Sequence, residues 1–255
     1  MELVYPPIIA GVVGLFWVMN WKVTVEGAGQ IPTEGPALIA TNHIGYLDFT
    51  FIGYATRPQH RFVRFMAKRE IFDHVLAGPL MRGMKHVPVD RFGRATDAFR
   101  EAVERLERGQ VLGLFPEGTI NRSFVPGAGK TGAVRMAAAA GAPLIPGAVW
   151  GSQRLLTKGR PPNWQRGVAI TVAFGEPLHP DPDDDTGDVT RALMDRISVL
   201  VERAADGYSQ QPAGEADRWW LPAHLGGDAP TVAEADEMAT AERIERRRKR
   251  RAQRG

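Results

Sequence analysis

Apolar residues in this chain come in short runs, and their spacing alternates between two periods. Val23 and Val25 alternate with Lys22, Thr24 and Glu26, the two-residue period of a strand. Residues 36–41 form a denser apolar run that predicts a buried strand, and 49–55 open a helix. A strand over 62–66, a short helix over 69–75, a Gly/Pro-punctuated connection over 78–83 and a short strand over 86–89 follow. Phe99, Val103 and Leu106 then share one face of a helix over 95–107, which Gly109 stops. Residues 111–115 predict a strand, 121–132 a long glycine-rich loop, 133–140 a helix and 144–149 a buried strand. Val168, Ile170, Val172 and Phe174 alternate as one more strand, and 188–205 form the last long helix of the body. Strands that alternate with helices in this way predict an α/β fold, a largely buried sheet flanked by helices.

The two ends differ from this pattern. Residues 3–21 carry no charge, and 8–19 are an unbroken run of apolar residues and glycine. A spanning helix needs about 20 apolar residues, and Pro6, Pro7 and Asn20 leave this run short. Glu2 before it and Trp21-Lys22 after it do not fit a cleaved secretory signal. The run fits either a buried core helix or a membrane-contacting helix lying in one leaflet, with Trp17 and Trp21 near the interface, and the second is the expectation. Past Gly207 the composition turns to Gly, Pro and Ala around Trp219-Trp220-Leu221, a patch expected to dock on the body. Three parts are expected: 1–21 as a membrane-associating segment, 22–207 as the main domain, and 208–255 as a Gly/Pro-rich linker with a basic tail.

Of 255 residues none is cysteine, which excludes disulfides, thiolate metal sites and a thiol nucleophile. The net charge of +3 is unevenly spread: eight basic residues and two acids over 242–255 give that segment +6 and leave −3 on the rest. A basic tail can meet anionic lipid or nucleic acid, or simply be a solvated end. No nucleic-acid-binding motif or interleaved aromatics accompany it, so nucleic acid is not an expected partner.

Candidate chemistry begins at His43, just after the apolar run 36–41, with Asp48 five positions later. A neutral imidazole can take a proton from an alcohol, and a carboxylate on its other nitrogen sets the tautomer and stabilises the imidazolium. Five residues along one helix place side chains on different faces, so the two meet only if a turn separates them and Asp48 lies in the first turn of the next helix. A strand-end His beside an N-capping Asp is the plain alternative. Two further blocks accompany the pair: Val87-Pro88-Val89-Asp90-Arg91, and Phe115-Pro116-Glu117-Gly118-Thr119 after an apolar run.

In this order the three blocks resemble the PlsC-type glycerophospholipid acyltransferases, over roughly residues 20 to 205. The resemblance implies the glycerol-phosphate acyltransferase-like sheet, with His43 as general base and Asp48 orienting it. It implies Arg91 on the acceptor's phosphate, and Glu117, Gly118 and Thr119 around the glycerol phosphate. Lys68, Lys130 and Arg122 are further candidates for that phosphate. Asn42 matches the residue before the His, Gly83 a small residue of the second block, and Pro146 a fourth block. The chain departs from the pattern at Ile120, where the family often has Arg, with Arg122 two positions on. The implied reaction is transfer of an acyl group from acyl-coenzyme A or acyl carrier protein to lysophosphatidic acid. It needs no cofactor and no metal, and it would run at the cytoplasmic face of a membrane. Another lipid acceptor (glycerol 3-phosphate, a lysophospholipid or a glycolipid) is the alternative. A noncatalytic lipid-binding protein on the same fold is the alternative of another class. Backbone amides near the start of the helix after His43 are candidates for holding the oxyanion.

Overall fold

The computed structural model of the protein describes residues 4–75, 77–89 and 95–252. Its centre is one seven-stranded sheet in the order β1-β7-β6-β2-β5-β3-β4. The strands are β1 (Lys22–Glu26), β2 (Ala37–Thr41), β3 (Val63–Lys68), β4 (Val87–Val89), β5 (Val111–Leu114), β6 (Leu144–Trp150) and β7 (Ala169–Phe174). Every neighbouring pair is parallel except β6 and β7. The helices are α1 (Tyr5–Val18), α2 (Asp48–Ala55), α3 (Arg69–Phe72), α4 (Ala77–Gly83), α5 (Ala95–Glu107), α6 (Gly132–Ala140), α7 (Thr186–Asp206) and α8 (Val232–Ala252).

Because successive side chains of a strand point to opposite faces, the all-apolar β2 builds two cores at once. Leu38 and Ala40 pack with Ala102 and Leu106 of α5, Val134 and Ala137 of α6, and Leu193 and Ile197 of α7. Ala37 and Ile39 pack with Phe16 of α1 and Phe51 and Ile52 of α2. Helices thus cover both faces, and β2 sits in mid-sheet between β5 and β6. The chain leaves β2 toward one side of the sheet and returns from β5 to the other, so the carboxyl ends of β2, β5 and β6 border a topological switch point, where open α/β sheets bind ligands.

One element differs from the sequence expectation. Residues 78–83, expected as a connection, lie in the helix α4, with Pro79 in the first turns, where a missing N–H breaks no helical bond. Gly83 ends α4 where a Cβ would stand 2.7 Å from the side chain of Val4, so its smallness serves packing. The segment after α7 folds as turns against the body and then forms α8. Trp220 is fully buried, with the guanidinium of Arg154 4.5 Å from its ring centroid.

Asn42 prolongs the β2–β6 pairing past the strand end. Its side-chain amide donates to the Val149 carbonyl (3.0 Å), and its side-chain oxygen accepts from the Val149 N–H (2.8 Å). Replacing Asn42 by Ala would leave both buried backbone groups of Val149 without partners, and unfolding in urea should show a loss of about 2–4 kcal/mol. A loss under about 0.5 kcal/mol would mean that the pair does not hold the strand ends together.

His86 holds β3 from the other side, its Nδ1 accepting the Phe65 N–H at 2.9 Å. Burial, helped by the charges of Arg64 and Arg105, pushes its pKa down to about 4 from an ordinary 6.5. The unfolded chain therefore binds a proton that the folded chain refuses between those values, so stability is full above pH 6.5 and falls as pH drops toward 4. The expected loss across that window is roughly 3 kcal/mol. Melting temperatures from pH 7 to pH 5 should fall in the wild type and less steeply in His86→Gln; equal slopes would contradict this assignment.

Candidate active site

The residues from Asn42 to Leu47 form the link between β2 and α2, and the sequence leaves this link little freedom. Asp48 opens α2 and is fully buried. One carboxylate oxygen, Oδ2, accepts from His43 Nδ1, the Ile44 N–H and the Gly45 N–H, each at 2.9 Å. The other, Oδ1, accepts from the Ser152 hydroxyl at 2.5 Å. A buried carboxylate is costly unless its lone pairs are met, and here four donors meet them. Gly45 makes the close approach possible: a Cβ there would lie 3.1 Å from Asp48 Oδ1 and from the carbonyl and hydroxyl oxygens of Ser152.

The imidazole is held in three ways. Asp48 engages Nδ1, so Nε2 is the nitrogen available to a substrate. The ring of Phe115 stacks on it with centroids 3.9 Å apart and planes 12° from parallel, and Phe65 stacks behind Phe115. The His43 side chain keeps 19% exposure, enough to be reached from outside. The backbone is also tied, because His43 N–H donates to Glu117 Oε1 (3.2 Å) and its carbonyl accepts from the Asn121 N–H (2.8 Å). The next residue is tied in turn, as Thr157 Oγ1 donates to the Ile44 carbonyl at 2.6 Å.

Glu117 is thus spent on the His43 loop and on its own. Its Oε2 accepts from Asn121 Nδ2 (2.9 Å) and the Gly127 N–H (3.2 Å). Burial of the carboxylate raises its pKa, opposed by hydrogen bonds from Asn121, Gly127 and His43. Gly118 has φ +71°, and a Cβ there would stand 2.7 Å from Lys130 Nζ, so the glycine lets the lysine fold across the turn. Lys130 also donates its backbone N–H to the Pro116 carbonyl (3.0 Å).

The remaining sequence candidates fall around this centre. Thr119 Oγ1 accepts from Lys158 Nζ at 3.3 Å. Ile120 is buried, whereas Arg122 reaches the rim and pairs with Glu242 of α8 at 2.6 Å. Lys68 ends β3 in register with Val89, the last described residue of β4. Arg91 lies outside the described residues. Pro146 is buried in β6 opposite Ala40. Of the amides considered for the oxyanion, those of His43, Ile44, Gly45 and Tyr46 already donate within the protein, to Glu117, Asp48, Asp48 and Leu156.

Ser152, Thr157, Lys158 and Glu242 carry no signal in the primary pattern, because they approach His43 only through the β2–β6 pairing and the return of the C-terminal helix. Ser152 follows the end of β6 by two residues, which is the only hint available. Its hydroxyl lies on Asp48, not at His43 Nε2, so Ser, His and Asp here do not form a nucleophilic relay. Among the described residues no three His, Asp or Glu side chains cluster as metal ligands do.

The sequence profile of the acyltransferase family matches residues 22–150. A 1-acyl-sn-glycerol-3-phosphate acyltransferase of Bacillus subtilis is 30% identical over 190 residues, covering 71% of this chain and 89% of that one. A chloroplast enzyme of the same name from Arabidopsis thaliana is 27% identical over 162 residues, 62% of this chain and 44% of that one. Among solved structures, the crystal structure of PlsC from Thermotoga maritima superposes with a TM-score of 0.66, over 80% of this chain and 82% of that one, at 24% identity. The matched span runs from β1 to the end of β6 and so contains the His43–Asp48 pair, the Glu117 turn and the strands that bring them together: the chain belongs to the acyltransferase family.

Proposed function

We propose that the protein transfers a fatty acyl group from an acyl thioester, carried by coenzyme A or acyl carrier protein, to the free hydroxyl of lysophosphatidic acid, giving phosphatidic acid. The observation that carries this reading is His43 fixed through Nδ1 on a buried, fully bonded Asp48, with Nε2 left for a substrate hydroxyl. The names of the bacterial and chloroplast relatives support the acceptor.

In the proposed reaction His43 Nε2 takes the hydroxyl proton as the oxygen attacks the thioester carbonyl. Asp48 holds the neutral tautomer that can accept it and then faces the imidazolium. The tetrahedral intermediate collapses with cleavage of the carbon–sulfur bond, and the imidazolium returns the proton to the departing thiolate. The products are the ester and a free thiol. No acyl-enzyme forms, in keeping with a chain without cysteine and with Ser152 occupied on Asp48. Glu117 acts by holding the His43 backbone, while Gly118 and Thr119 shape the wall of the acceptor site. The acceptor's phosphate would be met by Arg122 and Lys130 on this side and by Lys68 from the end of β3, with Arg91 a further candidate from its motif alone.

Contact with a membrane surface belongs to the same proposal. No described helix is long and apolar enough to cross a membrane. The 14-residue α1 instead has two sides: Tyr5 and Phe16 are buried in the body, whereas Trp17 (82% exposed), Leu15 and Val18 face outward. An exposed apolar face of this kind suits a helix lying in the lipid interface.

The direct test is acceptor-dependent thiol release from acyl-coenzyme A by purified protein in detergent, with lysophosphatidic acid set against glycerol 3-phosphate, a lysophospholipid and a glycolipid. Release should be greatest with lysophosphatidic acid. His43→Ala should lower it by at least about 100-fold with the fold intact, and Ser152→Ala by about tenfold through the weakened hold on Asp48. Full turnover in His43→Ala would overturn the mechanism.

For the membrane, changing Leu15, Trp17 and Val18 together to Ser should weaken binding to anionic vesicles by about 100-fold or more while leaving the melting temperature near that of the wild type. Unchanged binding would move the lipid contact elsewhere on the molecule.

A further inference from the structure

The C-terminal helix α8 returns to the rim of the active site and places one carboxylate there. Glu242 Oε1 lies 2.6 Å from Arg122 Nη2, and Glu242 Oε2 lies 2.6 Å from Lys158 Nζ. The two oxygens of one anion thus each take a different cation, the geometry with which a phosphate is gripped. Neither cation is a loose surface charge, since the Lys158 side chain is 12% and the Arg122 side chain 21% exposed.

Both cations are fixed to the catalytic loop through their chain neighbours. Arg122 follows Asn121, whose N–H binds the His43 carbonyl at 2.8 Å. Lys158 follows Thr157, whose hydroxyl binds the Ile44 carbonyl at 2.6 Å, and Lys158 itself donates to Thr119 Oγ1 at 3.3 Å. The floor beneath Arg122 is Gly159, where a Cβ would meet Arg122 Nε at 3.2 Å. The pair is therefore built into the wall that positions His43.

The anion that fills it is attached much less firmly. Val232, Met238 and Ile244 of α8 remain exposed, and Ala235 near the helix start is buried. Among the α8 side chains that the structure describes, the one with ion pairs to the body is Glu242. Burial alone would raise the pKa of Glu242, but the hydrogen bonds and charges of Lys158 and Arg122 outweigh it and lower the value, so the group is an anion where it sits. Removing α8 with nothing in exchange would leave two enclosed cations unpaired; removing it in exchange for another anion would not.

We propose that Arg122 and Lys158 form a phosphate subsite for the acceptor, and that Glu242 of α8 fills this subsite in the resting chain as an internal competitor that a phosphate monoester displaces. This rests on the acyltransferase reading given above and adds to it a further cation, Lys158, and a closing element. A phosphate monoester carries more charge than a carboxylate and offers three oxygens, so it competes well for the same pair. An acceptor without phosphate cannot make the exchange.

Steady-state kinetics of the full chain in detergent decide this, with wild type compared to Glu242→Gln. The variant keeps the size of the side chain and removes its charge. The KM for lysophosphatidic acid should fall about three- to tenfold with kcat little changed, because a larger fraction of the enzyme has the subsite open. The KM for acyl-coenzyme A and the rate with monoacylglycerol should not move. An unchanged or raised KM for lysophosphatidic acid would overturn the proposal, and so would a fall confined to acyl-coenzyme A, which would give the pair to the donor's phosphate. Amide hydrogen exchange supplies a readout independent of turnover: glycerol 3-phosphate, and not glycerol, should speed exchange across 232–245 in the wild type. A wild type inactive toward lysophosphatidic acid would sink the reading of function, yet the exchange result would still decide whether a phosphate monoester releases α8. No change in exchange would refute the inference by itself.

Discussion

The carboxylate of Asp48 is the point on which the rest of the site depends. It is buried, it carries charge, and its donors come from distant parts of the chain: His43, Ile44 and Gly45 before α2, and Ser152 after β6. A charge in that position is tolerable only while all of these converge. Convergence in turn requires that β2 and β6 be neighbours running the same way, so that their carboxyl ends stand side by side. The Asn42 pair with Val149 fastens those ends just where the backbone ladder stops. Sheet order, loop conformation and imidazole orientation are thus one connected constraint.

Much of this was legible along the chain because much of it is local. The apolar run of β2, the turn needed between His43 and Asp48, and the placement of Asp48 in the first turn of α2 all follow from spacing. The face of α5 that carries Leu106 follows from helical periodicity. Other features were hidden for identifiable reasons. The α4 helix contains Gly78, Pro79 and Gly83, which read as loop residues when their tertiary setting is unknown. The antiparallel β6–β7 pair looks like any other strand succession. Ser152 and Thr157 are ordinary hydroxyl residues until strand order places them against Asp48 and Ile44. The motif singles out Glu117 as a candidate, but its hydrogen bond from the His43 N–H is a relation across 74 positions of chain.

The replacement of an arginine position by Ile120 becomes intelligible from packing. Ile120 points inward and is buried, where a guanidinium would need a buried partner. Two residues later the chain has turned outward, and Arg122 reaches the rim beside Lys158, a cation contributed by the segment after β6. Positive charge at this edge is therefore assembled from two segments far apart in sequence. The strongly basic C-terminal segment meets that edge through an acid, Glu242. The charge of the tail as a whole says little about how it touches the body.

A base without a protein nucleophile places a particular demand on such a site. His43 has no serine hydroxyl at Nε2, since the nearby Ser152 is turned to Asp48, so in the proposed reaction the group that His43 activates would have to arrive with a substrate. Direct transfer then requires donor and acceptor to be bound together, and the gain in rate comes from holding a hydroxyl, a carbonyl and the imidazole in one geometry. A rigid base suits this: strand pairing, the Phe115 stack and the Asp48 bonds leave the ring little freedom. The substrates must still enter and leave. On the proposal made above, mobility would belong at the rim and not at His43, and the cations bridged by Glu242 of α8 would divide the two requirements between different parts of the chain.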